Sequence, residues 1–455
     1  MRNWGAWGID LRSHMGYHTV NEPELRKSVF LIFGKDRSLN KCPIVAFCSA
    51  KRSGLHATFR SKRRLCIKIT LATAFALSRM TKILDWRKSD DPRDIVHLAV
   101  QALAEGHVVA LPSNCTYLLV ASGLHPTAIE QLCQSSFASE HDRVTLMVRS
   151  ADETLDYFPD ISPAARRLAK KAWPSPIILS IQDSNASSVL RCLDTRVCKA
   201  LQNSNSHIQV WQPDHALLEY VCRLLSGPLV CVPANDKNRA IVRTVEFLNP
   251  NESVLAIDDG EVKTPGQPTV VAIDGSKGKI IHRGIVDEEG LRQISQWSVL
   301  FVCTGNTCRS PMAQALMEKK IASKFSQLAQ QGKCPVVAMS AGVSAFGGDA
   351  ASHGALAAIR QYGTTLDQHQ STQLNSALVE QADIILAMGQ RHRHAIISQW
   401  PSITSKVHLI SPDGGEISDP FGGPLEVYQK CAQQLDEHTD YWIDRLDTES
   451  LIQWH

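Results

Sequence analysis

From Ser298 onward, short apolar runs alternate with stretches of helical period. VLFV, VVAMSAG, DIILAMG and KVHLI read as buried strands, and SPMAQALMEKK, HGALAAIRQYG, LNSALVEQ and QRHRHAIISQW read as helices. A further helix begins near Leu425. Strands joined through helices cannot pair as tight hairpins. The alternation therefore predicts a doubly wound parallel sheet with helices on both faces. In such a sheet, ligands collect where a strand's carboxyl end meets a helix N-terminus.

The region before it is also α/β. An amphipathic helix, PRDIVHLAVQALAEG, runs into the apolar strand HVVALP, and PTAIEQLCQ, SPAARRLAKKAW and HALLEYVCRLL continue as helices. VTLMVR, PIILSIQ and PLVCVPAN read as strands, and TVVAIDGSKGKIIHRG as a hairpin with a glycine-containing turn. A chain of 455 residues is long for a single domain. The expected divisions are 1–79, 80–295 and 296–455, with both larger parts α/β.

Residues 1–79 hold 15 Lys+Arg and 4 Asp+Glu, whereas the remainder holds 33 and 41. The globular part is therefore mildly acidic, which argues against a general nucleic-acid-binding surface. The basic segment reads either as a tail without sustained period or as sequence upstream of a true start at Met80. Its most apolar run, LCIKITLATAFAL, is too short to span a bilayer and contains Lys68. No membrane partner is expected. Thirteen cysteines without a CxxC pair or regular spacing fit a reducing compartment, so a cytoplasmic location is expected.

The chemistry concentrates in VLFVCTGNTCRSPMAQAL. Cys303 and Arg309 bracket a C-x5-R loop between the first strand and helix of the C-terminal part, with Ser310 expected as N-cap and Pro311 in the first turn. Such a loop wraps one anion. Its backbone N–H groups converge, Gly305 and Asn306 tolerate left-handed geometry, and Arg309 forks two phosphate oxygens. That positive field favours the Cys303 thiolate, to which Ser310 can donate. Two cysteines without further partners make a poor zinc site, so no metal is expected. Far downstream, Asp419 in DPFGG can protonate a leaving group and then activate water, or it can be a plain Asp-Pro turn.

VLFVCTGNTCRSPMAQAL, SAGVSAFGGDAAS, DQHQSTQL, ADIILAM and DPFGGPLEVY occur in the order seen in low-molecular-weight protein tyrosine phosphatases, which this part of the chain resembles. The resemblance covers about 150 residues. It implies Cys303 as nucleophile, Arg309 as phosphate clamp and Asp419 as general acid then base, with no cofactor and a phosphorylated protein as substrate. It places Thr304, Gly305, Asn306, Thr307, Cys308 and Ser310 in the phosphate loop, and Asn306, Ser310 and His369 in its supporting network. Cys308 matches a loop cysteine that can trap oxidised Cys303 as a disulfide, or it simply packs. Thr307 is similar to the threonine of bacterial protein-arginine phosphatases, which makes phosphoarginine the alternative to phosphotyrosine. Phe421 and Gly422 replace the paired tyrosines of animal members, so phosphorylation there is not implied.

EGHVVALPSNCTYLLVASGL, DRVTLMV, AWPSPIILSI, PLVCVPAN and VVAIDGSKGKIIHRG resemble the Sua5/YrdC family, which has a twisted open α/β fold. That family makes threonylcarbamoyl-adenylate from threonine, bicarbonate and ATP for tRNA modification. Ser113, Tyr117, Asn235 and Arg283 are the candidate pocket residues. The phosphate-binding charges are eroded: no lysine stands in SSFASEHDR, VWQP replaces R-x-P, and Pro233 replaces the serine of S-x-N. Loss of those charges removes what ATP needs. ATP is the cofactor expected if this part retains synthase activity. The alternative is a non-catalytic module that binds RNA, tRNA, a nucleotide or the phosphatase part.

Overall fold

The structure, a computed structural model, describes residues 81–135, 144–183, 188–203, 205–234, 243–245, 248 and 253–454, with four strand segments nearer the N-terminus. It divides into two compact units, Met1–Lys82 with Asn249–Val254, and Ile83–Leu248 with Leu255–His455. In the first, β1 (Phe33–Gly34), β2 (Ile44–Lys51), β3 (Gly54–Arg60) and β4 (Cys66–Ile69) pair antiparallel in that order.

The second unit is built on two sheets. The larger has eleven strands and is mixed. Its strands are β5 (Lys82–Asp85), β6 (Val109–Pro112), β7 (Tyr117–Ser122), β8 (Thr145–Met147), β9 (Ile177–Gln182) and β10 (His207–Trp211). They are joined by β11 (Leu229–Pro233), β12 (Leu255–Asp258), β13 (Thr269–Asp274), β14 (Lys277–His282) and, from the far end of the chain, β19 (Gln453–Trp454). The order is β19-β14-β13-β9-β10-β8-β11-β7-β6-β12-β5. Helix α1 (Pro92–Ala104) covers one face, burying Ile95, Val96, Ala99 and Leu103 at the spacing of an amphipathic helix. The same face carries α4 (Ala216–Leu224), and the other face is covered by α2 (Pro126–Cys133), α3 (Pro163–Ala172) and α5 (Glu288–Ser295).

The smaller sheet is wholly parallel, in the order β16 (Val336–Gly342), β15 (Trp297–Cys303), β17 (Ile384–Ala387), β18 (Val407–Leu409). Strand β15 distributes its apolar residues with period two. Val299 and Phe301 pack with Met312 and Leu316 of α6 (Arg309–Lys324), Ile359 of α7 (His353–Arg360) and Leu435 of α10 (Leu425–Asp444). Leu300 and Val302 point oppositely, toward Val379 of α8 (Ser376–Gln381) and Ile396 of α9 (Gln390–Gln399). This is the doubly wound sheet expected from the alternation. The chain leaves β15, builds β16 on one side and later β17 on the other, so β15 is the point where strand order reverses.

The two sheets are tied together. Lys171 and Arg167 of α3 bond carbonyls of Ser295, Gln296 and Ser450 and the carboxylate of Asp383, which precedes β17. Strand β19 lies along β14, pairing Gln453 with Lys277 and Trp454 with Gly278. The Trp454 indole donates to Ser295 Oγ at 2.8 Å. Among the described residues no helix is long and apolar enough to cross a membrane.

Candidate active site

Cys303 ends β15, and the residues after it turn back over the sheet before α6 begins. The turn is tight because Gly342, at the end of β16, lets it approach. A Cβ there would lie 2.5 Å from the Thr304 carbonyl oxygen and 2.9 Å from the Asn306 nitrogen. Of the two residues expected to tolerate left-handed geometry, Asn306 uses it, at φ 55, whereas Gly305 does not. Asn306 is stabilised there through its side chain, which gives it what glycine could not. Its Nδ2 donates to Ser310 Oγ and Ser340 Oγ, both at 2.9 Å, and its Oδ1 accepts from Thr372 N at 2.8 Å. His369 Nε2 donates to the Asn306 carbonyl at 2.7 Å.

These contacts hold donors against one sulfur. Cys303 Sγ accepts from Asn306 N at 3.2 Å and lies 2.9 Å from Ser310 Oγ. Ser310 is not the N-cap expected from sequence. Helix α6 starts at Arg309, with Cys308 as N-cap, and Met312 N bonds the Cys308 carbonyl. Ser310 falls inside the first turn, which aims its hydroxyl back at the thiol rather than at the helix's own N–H groups.

Arg309 is 4% exposed. Its Nη1 donates to the Ile417 carbonyl at 3.1 Å, its Nη2 bonds Asp419 Oδ2, and its Nε has no protein partner. The C-x5-R loop and the downstream Asp-Pro turn, 110 residues apart in sequence, therefore meet through one ion pair. Asp419 is also bonded by Arg391 Nη2 at 3.3 Å, and the same nitrogen donates to Thr304 Oγ1 at 3.2 Å. His392 is buried, with Nε2 at 2.9 Å from Thr304 Oγ1. Burial first, then the charges of Arg309 and Arg391, hold His392 down to about 4, so it is neutral at physiological pH.

Cys308 packs away from Cys303's partners, with Sγ donating to Ser352 Oγ at 3.2 Å and lying 3.9 Å from Tyr428 OH. Thr307 is half-buried, and its hydroxyl lies 3.7 Å from Cys308 Sγ. A third buried thiol, Cys431 of α10, is pushed up to about 12 by burial. Phe421 and Phe346 stand 76% and 82% exposed on the loops bearing Asp419 and following β16. Cys303, Asn306, Ser310 and His369 are thus linked in one network, and Thr304, Arg309 and Asp419 in an adjoining one through Arg391. Arg391, His392, Ser340 and Thr372 complete the two and are not marked by the sequence patterns. The available signal is that QRHRH follows a parallel strand's carboxyl end, where a doubly wound sheet places its ligand contacts. Among the described residues no group of His, Cys, Asp and Glu could hold a metal ion.

The candidate residues of the larger sheet do not converge comparably. Tyr117 is fully buried, donating to the Gly260 carbonyl at 2.8 Å and accepting from Asp259 N at 3.2 Å. Ser113 donates to the Thr116 carbonyl at 2.6 Å. Arg283 is exposed just beyond β14, and Asn235 lies outside the described residues. A cavity of about 490 Å³ is lined by Met147, Arg149, Tyr157 and Cys222, and not by Ser113, Tyr117 or Arg283.

A family model described as low molecular weight phosphotyrosine protein phosphatase matches residues 298–451. A Sua5/YciO/YrdC model, described as telomere recombination, matches residues 101–284. A protein-arginine-phosphatase of Geobacillus stearothermophilus is 38% identical over 158 residues, 34% of this chain and 98% of that protein. A probable low molecular weight protein-tyrosine-phosphatase, EpsP, of Ralstonia solanacearum is 31% identical over 150 residues, 33% and 95% of the two chains. The solved YwlE arginine phosphatase of Geobacillus stearothermophilus shares 38% identity and covers 34% of this chain and 94% of its own, with a TM-score of 0.30.

Proposed function

Because this chain belongs, through residues 298–451, to the low molecular weight phosphotyrosine protein phosphatase family, we propose that it hydrolyses phosphorylated protein side chains through a cysteinyl-phosphate intermediate. The observation that carries this reading is Cys303 Sγ set between Asn306 N and Ser310 Oγ, beside a buried arginine bonded to Asp419. Cys303 thiolate attacks phosphorus, the bond from phosphorus to the leaving group breaks, and Asp419 gives its proton to that group. Water then attacks the phosphocysteine, Asp419 takes the water proton, and the S–P bond breaks to release inorganic phosphate and the thiolate. Arg309 supports this by offering Nε, which has no protein partner, and Nη2 to equatorial phosphate oxygens. Ser310 and Asn306 N stabilise negative charge on sulfur. Turnover of p-nitrophenyl phosphate by wild type and by C303S tests the reading. Cys303-dependent hydrolysis is expected, and its absence with this substrate and with phosphoarginine overturns it.

Thr307 and the identity to a protein-arginine-phosphatase favour phosphoarginine as the specific substrate. A hydroxyl on the loop can bond a phosphoguanidinium, whereas an aliphatic side chain there suits a phenyl ester. Thr307→Ile is expected to shift turnover from phosphoarginine toward phosphotyrosine, and an unchanged ratio removes this assignment.

For the N-terminal half, the supported role is a structural partner of the phosphatase rather than a synthase. Tyr117 is committed within the fold, Trp211 is buried where the family's arginine would stand, and α3 bonds the phosphatase part directly. Pyrophosphate release from ATP with threonine and bicarbonate would overturn this; no ATP heat in titration calorimetry is expected.

A further inference from the structure

Arg309 and Asp419 are bonded to each other, yet the proposed chemistry needs them apart. Arg309 Nη2 must turn to a phosphate oxygen, while Asp419 must stay within reach of the leaving atom. Once Arg309 has turned, its bond no longer holds the carboxylate. What remains is Phe421 N, 3.3 Å from Oδ1 within the acid's own turn, and, from outside that turn, Arg391, whose Nη2 lies 3.3 Å from Asp419 Oδ2 and 3.2 Å from Thr304 Oγ1. Thr304 is fixed in turn by His392 at 2.9 Å, and its backbone carbonyl accepts from Ser344 N. The loop before Asp419 has holds besides the Arg309 bond to the Ile417 carbonyl, because Gln390 N bonds Glu416 Oε1 and Ile417 N bonds the Met388 carbonyl. Arg391 therefore bridges the helix that follows β17, the phosphate loop and the acid. Its side chain is 63% exposed, so it contributes little to the core.

Resting on the phosphatase reading above, we propose that Arg391 is a positioning residue for Asp419, retaining the carboxyl group over the leaving atom when Arg309 turns to the phosphate. It touches neither phosphate nor leaving group. Asp419 also takes the water proton when the phosphocysteine is hydrolysed, a step common to all substrates. The effect that scales with how much the leaving group needs a proton therefore lies in the first step and is read from kcat/KM.

The test compares wild type, R391M and R391K on phenyl phosphate, a poor leaving group, and p-nitrophenyl phosphate, a good one. R391M is expected to lower kcat/KM about tenfold on phenyl phosphate and about twofold on p-nitrophenyl phosphate. R391K, which can keep one ionic contact with Asp419, is expected to recover most of the difference. Equal loss of kcat/KM on both substrates, or none on either, overturns the proposal while leaving the phosphatase reading intact. Absence of Cys303-dependent turnover in wild type overturns both. An unchanged urea midpoint for R391M is expected, and R391K keeps the comparison decisive if R391M is destabilised.

Discussion

Lys171 Nζ lies 2.8 Å from Asp383 Oδ2, and both side chains are largely buried where α3 meets the start of β17. Asp383 also accepts from Arg167 at 3.5 Å and from Ser298 N at 2.8 Å, so one carboxylate joins residues of the two sequence matches.

Removing that carboxylate leaves two cations uncompensated in a poorly hydrated place. Asp383→Ala is expected to cost about 3 kcal/mol. Urea unfolding of the chain checks this. Lys171→Met is expected to cost less, because Arg167 and Ser298 still serve Asp383.

Gly342 admits the phosphate loop by lacking a Cβ. Gly342→Ala drives a methyl against the Thr304 carbonyl and the Asn306 nitrogen, both backbone atoms that cannot rotate away. A stability loss of about 2 kcal/mol is expected. Hydrolysis is expected to fall further than that loss accounts for, because the displaced atoms are those around Cys303. Paired urea and p-nitrophenyl phosphate measurements separate the two effects.

Asn306 combines a left-handed backbone with donors toward Ser310 and Ser340 and an acceptor toward Thr372. Asn306→Gly keeps the conformation and loses the side-chain bonds, so it is expected to cost about 2 kcal/mol. Asn306→Asp keeps the acceptor but puts a carboxylate beside Cys303 Sγ. It is expected to depress turnover more than stability, as read from kcat and urea midpoints of both variants.

His392 gives stability a definite slope with pH. Its folded value, about 4, lies below the ordinary 6.5, so between these values the unfolded chain binds more protons. Stability is expected to fall as pH drops through that window, by up to ~3 kcal/mol from this group, and to be unaffected by it above 6.5. His392→Gln is expected to destabilise at pH 7, where it weakens the hold on Thr304, and to lose that disadvantage near pH 4.5. Urea curves of both proteins at the two pH values test the crossover.

The phosphatase part was legible because its signals are local. Period-two strands, capped helices and a C-x5-R loop each declare themselves within about twenty residues; VVAMSAG is β16 residue for residue, and VLFV is the middle of β15. Ser310 was misplaced because a serine before proline carries a cap signal, and only the fold shows its hydroxyl taken up by Cys303. Arg391 and His392 read as a basic helical run because their role depends on Asp419 and Thr304, remote in sequence. The tie between the halves was invisible for the same reason: Lys171 and Asp383 are 212 residues apart.

Strand β19 has a consequence for how the molecule meets its neighbours. A strand at the margin of a sheet offers unpaired N–H and C=O groups to any other chain, and β14 would be such a margin. Gln453 and Trp454 occupy the beginning of it, with Gln453 N bonded to the Ser276 carbonyl and the Trp454 ring over Gly278. The C-terminal residues thus close the start of that margin, two of the six residues of β14, to edge-to-edge pairing with another chain.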